Sequence, residues 1–169
     1  MLPAKGGGRE IIMKDIVIFY SFGGNTRKIA EEIQKIRKAD VIEIETVKPY
    51  TGSYNDVVAQ GQREVDRGFM PEIQPFKIDL SQYDSVILGT PVWWYTFAPA
   101  MKTFLNSADL SGKKVYPFAT NGGWIGHTFK DFEKMCLGAK VQPGLNIRFN
   151  GNQQLTSEAD IYRWIQKIG

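Results

Sequence analysis

Residues 15–33, Asp15-Ile-Val-Ile-Phe-Tyr20-Ser-Phe-Gly-Gly-Asn-Thr26-Arg-Lys-Ile-Ala-Glu-Glu-Ile33, restrict the possible folds more than any other stretch of the chain. Ile16 to Tyr20 is an unbroken apolar run, the pattern of a strand covered on both faces. Gly23-Gly24 then permits a sharp turn and a close backbone approach. Asn25 or Thr26 can cap the helix that follows, and Ile29, Ile33 and Ile36 give that helix one apolar face. A strand entering a helix this way aims free backbone N–H groups and the positive end of the helix dipole at one point. The Ser21 and Thr26 hydroxyls add donors there. Such a point suits a phosphate without a lysine. An ordinary capped helix would read the same way, and this stretch alone leaves both open.

Composition sets the outer limits. The 169 residues are enough for one domain with a full core, and 43% apolar with 23% charged residues is ordinary for a globular protein. No apolar run approaches the roughly 20 residues of a membrane span. One cysteine, Cys136, excludes an intrachain disulfide and allows a reducing compartment, so a cytoplasmic location is expected. The net charge of +3 is small, and no dense basic cluster points to nucleic acid. Residues 1–12 contain Ala-Lys-Gly-Gly-Gly-Arg and lack an apolar signal core. They read as a disordered leader or cloning remnant ahead of a single domain at 13–169.

Along that domain, strands alternate with helices five times. Val41 to Glu45 alternates apolar and acidic residues, which predicts a strand wet on one face near a sheet edge. Lys48 to Tyr83 is a long connection with a helix over Tyr54–Arg67, and Pro71 and Pro75 force an extended return. Ser85 to Gly89 is a buried strand, followed by a helix from about Ala98 to Ser107. Val115 to Ala119 reads as a strand despite Pro117, and a helix ends near Met135. A last strand within Ala139–Phe149 bends at Pro143-Gly144, and Ser157 caps the final helix. Alternation of this kind predicts an α/β fold, a parallel sheet with helices on both faces. Ligands of such folds bind beyond the carboxyl ends of the strands. Three loops leave those ends with unusual composition: 21–26, 90–97 and 120–127.

Trp93-Trp94-Tyr95 directly follows a strand, and three large aromatics there are costly to leave in water without a purpose. A planar ligand stacked on one ring would account for them; so would a partner contact. Trp124 places another ring in the neighbouring loop, and Gly122-Gly123 permits backbone contact with a flat ring edge. A phosphate nest, a stacking loop and a glycine edge loop together fit a flavin mononucleotide better than a plain nucleotide.

These residues also carry a family resemblance. Ser21-Phe-Gly-Gly-Asn-Thr26 resembles the phosphate loop of flavodoxins, Thr90-Pro-Val-Trp-Trp-Tyr their second flavin loop, and Thr120-Asn-Gly-Gly-Trp their third. The likeness runs from Met13 to Gly169 and implies a three-layer α/β/α sandwich. Its sheet would be five-stranded and parallel in the order 2-1-3-4-5, as in short-chain flavodoxins. It implies that Ser21, Phe22, Gly23, Gly24, Asn25 and Thr26 hold the phosphate of FMN. Thr90, Pro91 and Val92 would line the ribityl chain and ring, with Trp93 stacked on the flavin and Trp94 beside it. Thr120, Asn121, Gly122 and Gly123 would meet the ring edge, and Trp124 would cover the opposite face. Two departures stand out. The loops carry no Asp or Glu, although flavodoxins are acidic around the ring. Trp94 also stands where short-chain flavodoxins often place glycine. A bulky residue resists positive φ there, which predicts two-electron rather than one-electron behaviour.

The resemblance implies an FMN-binding electron-transfer protein, with a redox partner protein and acting as a monomer. The alternative is an NAD(P)H-dependent FMN oxidoreductase that reduces quinone-like small acceptors. Catalytic side chains and metal ligands are not expected, since the flavin carries the chemistry. A phospho-acceptor domain would need acids where Ser21, Thr90 and Thr120 stand, and a P-loop nucleotidase would need Gly-Lys-Ser/Thr. His127, the only histidine, reads as a solvated helix-start residue or a charge near the ring; Cys136 reads as a small buried residue.

Overall fold

The computed structural model describes residues 14–169; the leader expected at 1–12 lies outside the described residues. The chain runs β1 (Lys14–Tyr20), α1 (Asn25–Arg37), β2 (Asp40–Ile44), α2 (Tyr54–Arg67), β3 (Tyr83–Trp93), β4 (Thr96–Phe97), α3 (Pro99–Ser107), β5 (Lys114–Asn121), α4 (Thr128–Met135), β6 (Lys140–Val141), β7 (Leu145–Asn150), β8 (Gln153–Gln154) and α5 (Glu158–Ile165). β2, β1, β3, β5 and β7 lie side by side and pair in parallel.

The sheet is nonetheless mixed and eight-stranded, not the five-stranded parallel sheet of the sequence expectation. The three added strands are two residues long and arise where the chain reverses or breaks. β4 folds back on β3 through Trp94-Tyr95, and β8 folds back on β7 through Gly151-Asn152; both pairs are antiparallel, as hairpins require. β6 is the severed start of the last strand, cut from β7 by Pro143-Gly144. That cut also accommodates Pro117. Val115 accepts from Gln142 on the outer side of β5, so Pro117, two residues on, turns its missing N–H to the same side. There it meets the interval between β6 and β7 rather than a strand that needs a donor.

Alternation along β1 sorts the core into two layers. Ile16, Ile18 and Tyr20 face Met101, Phe104 and Leu105 of α3 and Phe132 of α4. Val17 and Phe19 face Ile29, Ala30 and Ile33 of α1 and Ile161 and Ile165 of α5. Both faces of β1 are thus sealed by helices, as its unbroken apolar run required. α2 is held at its start by a reciprocal cap, in which Ser53 accepts from Asp56 N–H and Asp56 accepts from Ser53 N–H. Ser157 caps α5 by accepting from Asp160 N–H. β2 lies at the sheet edge, as its alternating sequence indicated.

Gly89 of β3 lies under the Phe118 ring, and a Cβ there would sit 2.1 Å from a ring carbon. Gly89→Ala is expected to destabilise the protein by about 1–3 kcal/mol through overpacking, read from the shift of a urea unfolding curve. Cys136 is buried after α4, and burial pushes its thiol up to about 11. It is therefore expected to resist a thiol reagent at pH 8 in the folded protein and to react at once in denaturant.

Candidate functional site

Because β1, β3 and β5 are parallel neighbours, the loops leaving their carboxyl ends emerge together. A hydrogen bond of 2.8 Å between the buried hydroxyls of Thr26 and Thr120 ties the first loop to the third. Thr90 is fully buried at the end of β3, and its hydroxyl oxygen accepts from Ala98 N–H at 2.9 Å, anchoring the start of α3 to the second loop.

The first loop departs from expectation in how its helix begins. Neither Asn25 nor Thr26 caps α1; the N-cap is Gly24, with φ of +98° and no side-chain bond. Asn25 instead donates to Gly151 O in the β7–β8 turn, and Thr26 is engaged with Thr120. The Ser21 hydroxyl oxygen accepts from Arg27 N–H, leaving its own proton free. Among the described residues, the N–H groups of Gly23, Gly24, Asn25 and Thr26 find no acceptor. A Cβ on Gly23 or Gly24 would point into open space. The loop is thus an empty cradle of backbone donors at a helix N-terminus, with no acid in the first turn to oppose an anion. Arg27 does not contribute its charge, because its guanidinium is paired with Glu43 at 2.5 Å. The donor set and the open space fit a phosphate monoester.

The second loop is a two-residue hairpin turn in which Trp94 (φ +49°) and Tyr95 (φ +72°) are both left-handed. The expectation that Trp94 resists positive φ is corrected: the side chain is there and the backbone turns anyway. The conformation costs roughly 1–2 kcal/mol per residue, and surrounding contacts must offset it. Trp94 Nε1 donates to Val58 O of α2 at 2.9 Å. Gly61 of α2 makes room: a Cβ there would lie 3.2 Å from the Trp93 ring and 3.7 Å from that of Trp94. Tyr95 O accepts from His127 N–H, which locks the turn to the start of α4. Trp93 itself packs edge-on against Tyr20, Phe22 and Tyr50. The Tyr50 hydroxyl is held protonated well beyond the ordinary tyrosine range, by burial first and by Glu64 beside it second.

The third loop is built on Asn121. Its side-chain oxygen accepts from Gly123 N–H at 2.9 Å, and its amide nitrogen donates to Asn146 of β7 at 2.6 Å. Trp124 stands out, 69% exposed, with its ring 5.0 Å from that of Tyr95. Val92, Trp94, Tyr95, Asn121, Gly122, Gly123 and Trp124 line a groove of about 540 Å³. It holds no carboxylate and no cation. Trp93 does not line it; it lines an adjoining hollow with Phe22 and α2, which shares Val92 and Trp94 with the groove. A larger cavity, about 620 Å³, lies among residues 73–81 and the end of α3 and shares none of the loop residues.

Two contributors had no mark in the sequence. Asp131 of α4 accepts from the Thr96 hydroxyl and lies against His127 Nδ1, so the lone histidine, exposed at the start of α4 as the sequence suggested, is also tied to the second loop. Arg148 of β7 sits beside Gly123: a Cβ on that glycine would meet its Nη2 at 3.3 Å. Both positions are set by strand pairing and helix docking, which no local pattern reveals.

A family profile described as Flavodoxin matches residues 14–168. The chain belongs to the flavodoxin family. A candidate flavoprotein of Bacteroides eggerthii DSM 20697 superimposes with a TM-score of 0.78 at 28% identity, over 92% of this chain and 97% of that one. A flavoprotein of Lactobacillus acidophilus NCFM, solved in complex with FMN, gives 0.73 at 22% identity, over 90% and 98%. Among curated proteins, the uncharacterized NAD(P)H oxidoreductase YcaK of Escherichia coli K12 is 22% identical over 85 residues. That match covers 48% of this chain and 43% of YcaK, so it spans less than half of the curated relative.

The Thr26–Thr120 bond is the direct link between the anion cradle and the aromatic groove. Thr26→Val or Thr120→Val strands the other hydroxyl in the core and is expected to cost about 1–3 kcal/mol. The double variant should cost less than the sum by roughly 1 kcal/mol or more. Chemical denaturation of the four proteins measures that coupling.

Proposed function

We propose that this flavodoxin binds one FMN, with its phosphate on the 21–26 loop and its ring in the groove of the second and third loops, and transfers electrons through it. The observation that carries the reading is the open cradle of four unpartnered N–H groups, bonded through Thr26 and Thr120 to an aromatic groove free of charged side chains. The FMN complex of the L. acidophilus flavoprotein supports it. When bound, the flavin supplies the redox chemistry. The chain's own residues do the rest. Ser21, Phe22, Gly23, Gly24, Asn25 and Thr26 hold the phosphate. Pro91 and Val92 follow the ribityl chain; Thr90, expected beside it, is fully buried and holds the start of α3 through Ala98 N–H instead. Asn121 stiffens the third loop so that Gly122 and Gly123 meet the ring edge.

The groove lining favours Trp94, Tyr95 and Trp124 as the ring's contacts, while Trp93 packs edge-on among Tyr20, Phe22 and Tyr50. If so, Trp94→Ala weakens FMN binding more than Trp93→Phe does. A Trp93→Phe loss greater than that of Trp94→Ala would return the stacking role to Trp93.

A second reading, an NAD(P)H-dependent reductase of quinone-like acceptors, is favoured by the similarity to YcaK and by the absence of carboxylates in the groove. Steady NADPH oxidation with a soluble quinone separates it from a carrier that turns over only with a protein partner.

The phosphate assignment is tested by calorimetry with FMN and riboflavin. FMN should bind at least tenfold more tightly. Ser21→Asp keeps an acceptor for Arg27 N–H but places a negative charge at the cradle, so it should weaken FMN by about tenfold or more. Riboflavin should be nearly unaffected. Equal affinities for the two flavins in the unmodified protein would refute the phosphate site.

A further inference from the structure

The ring groove has no charged lining, yet one cation stands at its rim. Arg148 pairs with Asn121 in the β5–β7 register, so their side chains leave the same face of the sheet. Asn121 already reaches Asn146 on that face. Ile147 and Phe149 turn the other way into the core, which fixes the direction of Arg148. Its backbone is pinned: Arg148 N–H donates to the Thr156 hydroxyl, and its carbonyl accepts from Leu155 N–H, both at 2.8 Å. The guanidinium lies against Gly123, the residue Asn121 holds in place.

The charges around it make the position matter. Arg27 is neutralised by Glu43, and His127 is engaged with Asp131. Arg148 makes no ion pair among the described residues. Here it is the unneutralised cation next to the groove edge that the ring is proposed to meet.

We propose that Arg148 is the positioning charge that selects the fully reduced, anionic ring over the oxidised one. This rests on the FMN reading above. On taking up two electrons and one proton, a neutral flavin ring becomes singly negative. A guanidinium at the ring edge attracts that charge and has little effect on the neutral ring. Arg148 therefore acts on the difference between the two states rather than on overall affinity, and it replaces the acidic surround typical of flavodoxins with the opposite sign.

The test compares the FMN-loaded protein with Arg148→Gln and Arg148→Lys, reduced anaerobically by dithionite against a reference dye. Arg148 is exposed, so both variants should fold and bind oxidised FMN within about threefold of the unmodified protein. Arg148→Gln should lower the preference for reduced over oxidised FMN about tenfold, which is about 30 mV in a two-electron potential. Arg148→Lys should recover most of it, and 1 M salt should shrink the difference between Arg148→Gln and the unmodified protein. FMN bound normally with an unchanged potential in Arg148→Gln overturns the inference and leaves the FMN reading intact. A raised KM for NADPH without a change in potential overturns it equally, assigning Arg148 to a nucleotide phosphate. Failure of the unmodified protein to bind FMN overturns both.

Discussion

Everything in this molecule depends on the burial of β1 between two helical layers. A strand sealed on both faces satisfies its backbone only through neighbouring strands, so it sits inside the sheet, and the helical crossovers beside it make those neighbours parallel. Parallel neighbours release their loops at one edge, and the helices that return the chain start at that edge. Helix N-termini, free N–H groups and loop side chains are therefore delivered to one place by the same constraint that builds the core. The Thr26–Thr120 bond is where that delivery becomes a rigid unit, since it joins loops that are far apart in sequence and adjacent in the sheet.

The aromatic turn shows where the fold holds strain. Two bulky residues with positive φ in succession would unwind in an isolated peptide, where nothing repays roughly 1–2 kcal/mol apiece. Here α2 takes the Trp94 indole N–H, and α4 donates to the Tyr95 carbonyl. Gly61 gives up helix propensity inside α2 so that the rings can pack against it. Two separate elements, α2 and the start of α4, thus hold one two-residue turn. Strain of this kind, held by over-determination at a loop edge, belongs to sites that must present a surface in one geometry.

The electrostatic character of the site follows from pairing rather than from composition. Arg27 and His127 border the loops, but Arg27 is paired with Glu43 and His127 lies against Asp131. What reaches the cradle is backbone dipole, which favours an anion without a cationic side chain. What reaches the groove is aromatic surface, with one arginine at its rim. Such a groove has no acidic fence to keep an anionic molecule away.

The layers and the cradle were legible in local pattern. A continuous apolar run, a glycine pair and an isoleucine stripe have one economical arrangement, and β1, Gly23-Gly24 and α1 adopt it because those signals are local. The three loops were legible for the same reason: each follows a strand directly and carries residues that a plain connection does not need. The remaining features come from packing between distant parts of the chain. That packing fitted Pro117 against the break the sequence had marked at Pro143-Gly144, and it drew Asn25 to Gly151 and Thr26 to Thr120 in place of capping α1. It turned Trp94 left-handed against its intrinsic preference and brought Arg148 beside Gly123. Each of these outcomes depends on a partner far away in the chain. Contacts across the sheet outweigh a local preference worth about 1–2 kcal/mol, and no window of sequence contains both sides of that balance.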